Sequence, residues 1–197
     1  MKHPPCPACA AGALLAVTLV ACRALPALHY YSLATVSPVA SAVHPLAPLL
    51  IRVRHVSLPH EMDHLGLTHH LGPTQLTISD NDQWTAPLDG LIQGTITSDL
   101  GERLGYQQVI AADALPVAAH PAAANLDLDF VTLSADDHCS IAAQVNWTLS
   151  LPGGATRRGS ARVAAPAAVG CPAGLPTSLS TALGELADQL VPQLTVS

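Results

Sequence analysis

A predominantly apolar run near the amino terminus constrains this chain more than any other feature of its sequence. The run extends from Ala10 to Ala21 and follows the positively charged Lys2. A helix that crosses a bilayer needs about 20 apolar residues, and this run is shorter. A short apolar run behind a basic residue is typical of a signal peptide. We therefore expect residues 1–21 to be removed and to take no part in the fold.

The run ends in Leu19-Val20-Ala21-Cys22, which resembles a bacterial lipobox, the motif that presents a cysteine for lipid transfer before signal cleavage. This resemblance predicts that Cys22 carries the lipid and becomes the mature amino terminus. In bacterial lipoprotein sorting, an aspartate after that cysteine retains the protein in the inner membrane. Arg23 therefore implies transfer to the inner leaflet of the outer membrane, facing the periplasm. An ordinary secreted protein and an uncleaved anchor are the alternatives.

The composition of the mature chain excludes two classes of protein. Cleavage leaves 197 minus 21, or 176 residues, with 7 arginines, no lysine and 14 acidic residues, a formal net charge of -7. A nucleic-acid partner requires clustered basic side chains, so we expect none. Hydrophobic residues make up 49% of the sequence and charged residues 11%, which disfavours disorder because a core can form.

Besides Cys22, the mature chain keeps the cysteines Cys139 and Cys171. An oxidising periplasm favours a disulfide between them over two free thiols. The turn at residues 151–154 would fold two strands back on each other, and reflection about it places Cys139 opposite residue 168. Cys171 is therefore near Cys139 but out of register, so strand pairing alone would not form the bond.

Hydrophobic periodicity predicts one domain over residues 49–197, preceded by a tether over residues 22–48 that carries a short strand at residues 29–33. We predict an α/β fold, with α+β as the alternative, in which two amphipathic helices pack on a mixed sheet. Strands are expected at residues 50–56, 75–79, 107–112, 126–133, 141–151 and 158–165. Residues 60–73 are expected to form a loop.

The predicted helices have identifiable ends. Asp80-Asn81-Asp82 supplies start signals for the first helix, with Thr85 as a competing cap, and Gly105 ends it. The second helix follows Ser178 and ends before Pro192.

The order of landmarks resembles the ABC-type transport auxiliary lipoproteins of the PqiC type, over nearly the whole mature chain. The matching residues are the lipobox, Tyr30-Tyr31-Ser32-Leu33, Leu58-Pro59 followed by Asp63, Asp80 to Trp84, Ala86-Pro87-Leu88, Trp147 and the terminal Leu-rich helix. The family usually has basic residues after the position of Asp63, where this chain has His64, His69 and His70.

The resemblance implies a non-enzymatic periplasmic subunit anchored to the outer membrane. Such a subunit works with an inner-membrane ABC transporter and its MCE-type component in lipid transport or membrane integrity, and some relatives form rings. The implied fold is similar to the amino-terminal domain of TolB. The implied docking residues are the family-motif residues Tyr30, Tyr31, Leu58, Pro59, Asp63, Trp84 and Trp147. A structural envelope lipoprotein without a transport role is the nearest alternative.

One local motif favours a different chemistry. His60-Glu61-Met62-Asp63-His64 matches the H-E-x-x-H pattern of zinc peptidases, in which two histidines one helical turn apart bind the metal. His69, His70 or Asp63 would be the third ligand. Pro59 and Gly66 leave little room for a helix, so a solvated loop is favoured over adventitious zinc binding by His60, His64 and His69, and that over a metallopeptidase. We expect no cofactor beyond the covalent lipid.

The remaining candidates have simpler interpretations. Trp84 and Trp147 each lie in an apolar periodic stripe and are expected to pack in the core rather than bind a ligand. Tyr30 and Tyr31 could equally dock a partner or begin the sheet. Asp136-Asp137-His138 is expected to be a turn before Cys139. The sequence has no serine-centred elbow, phosphate loop or carboxylate pair with supporting context, so an enzyme is the minority interpretation.

Overall fold

The computed structural model describes residues 26–38, 49–111, 123–167 and 169–195. Its elements, in chain order, are β1 (His29–Tyr31), β2 (Ile51–Ser57), a 3-10 turn (His60–Met62), β3 (Gly66–Gly72), β4 (Gln75–Trp84), α1 (Leu88–Leu104), β5 (Val109–Ile110), β6 (Ala124–Ala135), β7 (Ile141–Ser150), β8 (Thr156–Ala165) and α2 (Leu175–Thr195). The predicted signal peptide and Cys22 lie outside these residues.

Five strands form the larger sheet in the order β5-β2-β6-β7-β8. β2 runs parallel to both β5 and β6, whereas β6, β7 and β8 pair antiparallel. α1 packs on β2 and β5, and α2 packs on β7 and β8 and against α1. Buried positions alternate along β6 and β7 with more exposed ones. The helices therefore cover one face of this sheet, and the other face stays polar and open.

A smaller sheet has the order β1-β4-β3. β1 pairs parallel with β4, and β3 pairs antiparallel with β4. Leu67 and Trp84 bring this sheet into the same core as the larger one. The prediction of mixed strands with two helices is therefore confirmed in its α+β form, but the strands form two sheets rather than one.

Three local predictions are wrong. Residues 60–73 are not a loop, because β3 occupies Gly66–Gly72 with Leu67 fully buried. Asp80-Asn81-Asp82 does not begin a helix, because β4 continues through it to Trp84. α2 continues past Pro192 instead of ending before it. Tertiary pairing and burial override the local signals in the first two cases.

The two ends of α1 can be compared with the start and stop signals in the sequence. Pro87 precedes the first helical residue, as its fixed φ favours, and makes no side-chain capping hydrogen bond. Gly105 follows the last turn with a φ of 98°, which an L side chain rarely adopts, and its N–H donates to the Gly101 carbonyl at 2.8 Å. The predicted stop at Gly105 is confirmed.

Residues 32–36, which we call the strap, lie on the helices after β1. Ala34 N–H donates to Ser180 Oγ at 3.1 Å, and Val36 N–H donates to Asp99 Oδ1 at 2.8 Å. A Cβ added to Gly184 of α2 would lie 2.8 Å from Val36 Cβ, so the absent side chain makes room for the strap. The segment predicted as a tether is thus attached to the domain over part of its length.

Candidate functional site

The open face of the larger sheet carries a groove of about 590 Å³. Its lining comes from β2, β6, β7 and β8 and consists of His55, Ser57, Asp127, Leu128, Asp129, Asn146, Trp147, Thr148, Arg158, Gly159 and Ser160. Hydroxyl, amide, carboxylate and guanidinium groups alternate along neighbouring strands, because every second residue of a strand points to the same face. This groove is the candidate functional site, and it was not predicted from the sequence. The sequence signal that could have located it is the polar half of each alternating strand.

An ion pair lies at the β2 side of the groove. Arg54 donates to Asp127 through Nε at 2.8 Å and through Nη2 at 2.5 Å. This bidentate geometry orients the carboxylate. The hydrogen bonds to Asp127 and its negative charge raise the pKa of Arg54. The pair is largely solvent-exposed and contributes little stability. It fixes the position of a negative charge in the groove.

A β-bulge explains why His55 joins Arg54 on this face. The pairing of β2 with β6 shifts between Val53 and His55, so Arg54 and His55 are both exposed. Gln93 of α1 donates through Nε2 to the carbonyl oxygens of Val53 at 3.2 Å and Arg54 at 2.9 Å. The helix amide thereby binds carbonyls at the point where the strand register breaks.

The second acidic group of the groove is held by a hydroxyl group. Ser57 Oγ donates to Asp129 Oδ1 at 2.6 Å. On the opposite wall, the exposed side chain of Arg158 makes no hydrogen bond or ion pair with the described residues. The groove therefore combines two positioned carboxylates with a guanidinium group that is available to an incoming partner.

Trp147 packs beneath the groove against Gly159, its partner in the register of β7 and β8. A Cβ at Gly159 would lie 2.5 Å from Trp147 Cζ2, so a side chain there would displace the indole. Trp147 and Trp84 both lie in the buried core. This confirms their expected packing role, and Trp147 also borders the groove from below.

The two tyrosines face opposite sides of β1. Tyr31 Oη donates to Asp82 Oδ1 at 3.1 Å, and Tyr30 is 61% exposed. His29 Nδ1 and Ser79 Oγ also contact the Asp82 carboxylate, at 3.2 and 2.8 Å. Partial burial favours neutral Asp82, but these hydrogen bonds outweigh it and lower the pKa of Asp82. Tyr31 thus helps to begin the sheet, and Tyr30 remains available for docking.

The other implied docking residues follow β2. Leu58 and Pro59 are half-buried, and Asp63 is exposed where the 3-10 turn ends. The N–H of Asp63 donates to the carbonyl of His60 at 3.2 Å, so only one short turn forms. His64 lies beyond this turn. The helix that an H-E-x-x-H site requires is therefore not formed, which removes the basis of the metallopeptidase alternative.

The histidines are not brought together as ligands. His60 and His64 are exposed, whereas His69 is buried on β3. Among the described residues, no group of three His, Cys, Asp or Glu side chains is placed to hold a metal ion. The predicted metal set of His60, His64 and His69 is accordingly not assembled in this structure.

A disulfide joins Cys139 and Cys171, whose Cα atoms are 5.3 Å apart. Cys171 lies past the end of β8, and Cys139 has a φ of 66° in the turn before β7. Asp136 forms that turn by accepting hydrogen bonds from the N–H groups of His138 and Ser140 at 3.0 and 2.7 Å. The expected turn at Asp136-Asp137-His138 is confirmed.

Within the described ranges, neither helix is long and apolar enough to cross a membrane.

Comparisons with known proteins agree with this fold. One solved structure, an uncharacterized protein, aligns with a TM-score of 0.68 at 16% identity, covering 86% of this chain and 99% of that one. A second, a Xanthomonas campestris protein of the DUF330 family, aligns with a TM-score of 0.64 at 17% identity, covering 84% of this chain and 94% of that one. No curated protein sequence matches this chain.

The family model for the ABC-type transport auxiliary lipoprotein component matches residues 31–191. This match begins at Tyr31 in β1 and ends in α2, so it spans both sheets and both helices. It includes the strap as well as the groove. The chain therefore belongs to the family of ABC-type transport auxiliary lipoprotein components.

Proposed function

We propose that this chain is a non-enzymatic lipoprotein of the outer membrane that serves an MCE- and ABC-type system for lipid transport or membrane integrity. The family match over residues 31–191 carries this proposal. The lipobox cysteine Cys22 supplies the anchor, and Arg23 directs it to the inner leaflet of the outer membrane, by the resemblance described above. Residues 1–21 are the cleaved signal, and the folded domain faces the periplasm.

The domain acts by binding, and the groove on the open sheet face is its docking surface. Ionised and hydrogen-bonded side chains line it at fixed positions, a type of surface that gives specificity to a protein interface. The partner is the periplasmic part of the transporter system, the MCE-type component or the ABC transporter itself. Assembly into a homo-oligomeric ring is compatible with this role.

The proposal is tested by co-purification from crosslinked cells. Wild-type protein is expected to recover an MCE-type or ABC component. Arg158→Glu places a third negative charge beside Asp127 and Asp129 and is expected to reduce recovery at least tenfold. Arg162→Glu is the matched control, because Arg162 lies on the same strand and side of the sheet but outside the groove.

The outcomes separate the alternatives. Recovery of neither component with wild-type protein would favour a structural envelope lipoprotein. An equal loss of recovery with both arginine variants would indicate that the partner binds the β8 edge rather than the groove. Equal amounts of each variant in the membrane fraction exclude poor folding as the cause of a loss.

A further inference from the structure

Pairing of β1 with β4 shortens the connection between the lipid anchor and the domain. β1 begins at His29 and is paired with β4, so residues 23–28 alone separate Cys22 from the sheet. Fully extended, the seven Cα–Cα steps from Cys22 to His29 span about 25 Å. Given the lipidation of Cys22 proposed above, β1 cannot lie farther than this from the membrane surface. A free tether over residues 22–48 would have allowed several times that distance.

The side of β1 that faces away from the core carries apolar groups. His29 and Tyr31 share one side with Asp82 and Trp84, to which they are paired. Strand alternation places Leu28 and Tyr30 on the opposite side, where they are 45% and 61% exposed.

A third exposed apolar residue lies close to these two. The carbonyl of Leu65 accepts a hydrogen bond from Trp84 N–H at 2.7 Å, and Trp84 is the partner of Tyr31 in β1. The Leu65 backbone is therefore about two strand spacings, or about 10 Å, from β1. Leu65 is 51% exposed. The register of β3 with β4 sets Leu65 opposite Trp84, on the side of Tyr31, so Leu65 lies near the exposed pair but not on its side of the sheet. Leu28 and Tyr30 form what we call the β1 corner.

We propose that the β1 corner rests on the lipid leaflet that carries the anchor. Tyrosine suits this position, because its ring is apolar and its hydroxyl group remains in contact with the headgroups. Asp80 is exposed on the neighbouring strand, and the Asp82 charge is held by His29, Tyr31 and Ser79. The corner is therefore not basic, so the contact is apolar and insensitive to salt. The domain lies against the membrane and the transporter component must reach it there.

A fluorophore attached at one engineered cysteine tests this contact. Tyr30→Cys is labelled in the full, lipidated protein, reconstituted in phosphatidylethanolamine and phosphatidylglycerol vesicles that contain a lipid-borne quencher. Tyr106→Cys is the control, because Tyr106 is 66% exposed and follows α1, whose 17 residues span about 25 Å. We expect at least threefold stronger lipid quenching at position 30 than at position 106, and the reverse order with an aqueous quencher.

A second pair of variants separates contact from mere proximity. Leu28→Ser, in the protein labelled at position 30, is expected to reduce lipid quenching at least twofold. Leu71→Ser is the control, because Leu71 is similarly exposed near the far end of β3 and outside the corner. Unchanged quenching with Leu28→Ser would overturn the contact, because the short connection alone would then explain the quenching.

Intact mass measured on the same samples reports whether Cys22 carries lipid. A protein without lipid would overturn both the proposed anchor and the contact that rests on it. A lipidated protein with equal lipid quenching at positions 30 and 106 would overturn the contact alone. Protection of position 30 from the aqueous quencher without lipid quenching would show that a protein surface, such as a second copy of the chain, covers the corner instead.

Discussion

Arg103 Nη1 donates a hydrogen bond of 3.1 Å to the backbone carbonyl of Val36, 67 positions earlier in the chain. The same guanidinium donates to Asp188 through Nε at 2.7 Å and to the Gly184 carbonyl through Nη2 at 3.0 Å. One buried arginine therefore connects α1, α2 and the strap. Because it binds a main-chain oxygen of Val36, the contact does not depend on the side chain at that position.

Replacing this arginine by lysine should destabilise the protein although the charge is kept. An ammonium group cannot reach three acceptors in the directions that the planar guanidinium serves, so buried carbonyls lose their donors. For Arg103→Lys we expect a loss of about 2 to 3 kcal/mol in the free energy of unfolding, measured by urea denaturation. Arg162→Lys on the exposed side of β8 should change it by less than about 0.5 kcal/mol.

Alanine substitutions at two helical glycines should change the free energy of unfolding in opposite directions. Gly184→Ala places a Cβ 2.8 Å from Val36 Cβ, so we expect a loss of about 1 to 2 kcal/mol and faster amide exchange at Val36. Gly94 is exposed in α1 with nothing within 4 Å of an added Cβ, so Gly94→Ala should gain about 1 kcal/mol. If both variants were more stable than the wild type, the strap would have shifted away from the added Cβ without a loss of stability.

Asp99 should make the stability of the protein depend on pH. Burial raises the pKa of Asp99 to about 6, against the opposing effects of the Val36 hydrogen bond and the Arg103 charge. Between pH 4 and 6, Asp99 is therefore protonated in the folded state. In the unfolded state its pKa is near 3.8, so it has already released this proton. The contribution of Asp99 to stability consequently rises as the pH falls from 7 towards 4.

Asp99→Asn keeps an oxygen for the Val36 N–H and removes the titration. The free energy of unfolding of the wild type relative to this variant should increase by about 1 to 3 kcal/mol between pH 7 and pH 4.5. The pKa values of Asp82 and Asp136 are lowered, so these residues change the stability with pH in the opposite direction. Their contributions cancel in the difference between the wild type and the variant, because both proteins contain them. A difference independent of pH would contradict the raised pKa.

The disulfide should be closed in the mature protein and should contribute to its stability. Cys139 and Cys171 are 32 positions apart, and closing a loop of that length corresponds to about 3 to 4 kcal/mol in the chain-entropy model. Thiol titration of the denatured, oxidised protein should find no free thiol, whereas two per chain would refute the bridge. The Cys139→Ala, Cys171→Ala double variant should show the loss in urea denaturation.

Several elements were predictable because their signals are local. Alternation in β7, the helical spacing in α1 and the stop at Gly105 depend on residues that are neighbours in sequence, and the structure contains each of them. β3 was missed for the opposite reason. Its histidines and glycines form no periodic pattern, and its pairing with β4 and the burial of Leu67 decide its conformation.

The candidate site likewise combines features that are visible in the local sequence with features that depend on tertiary structure. The sequence indicated which strand positions are polar, but it could not indicate which strands are neighbours. Asp127, Asn146 and Arg158 share a groove because β6, β7 and β8 are adjacent in the sheet. The motif residues Trp84 and Trp147 stood out in the sequence, yet both are buried.

By itself the sequence determined the strand and helix periods, the family resemblance and the expectation of a lipid anchor at Cys22, since each depends on residues close together in the chain. Only the tertiary structure decided that residues 32–36 are bound to the helices and that the groove opens on the uncovered face of the larger sheet. Those features depend on which distant group satisfies a backbone N–H or carbonyl, as Asp99 and Arg103 do for Val36. That choice is made by the packing of the whole domain.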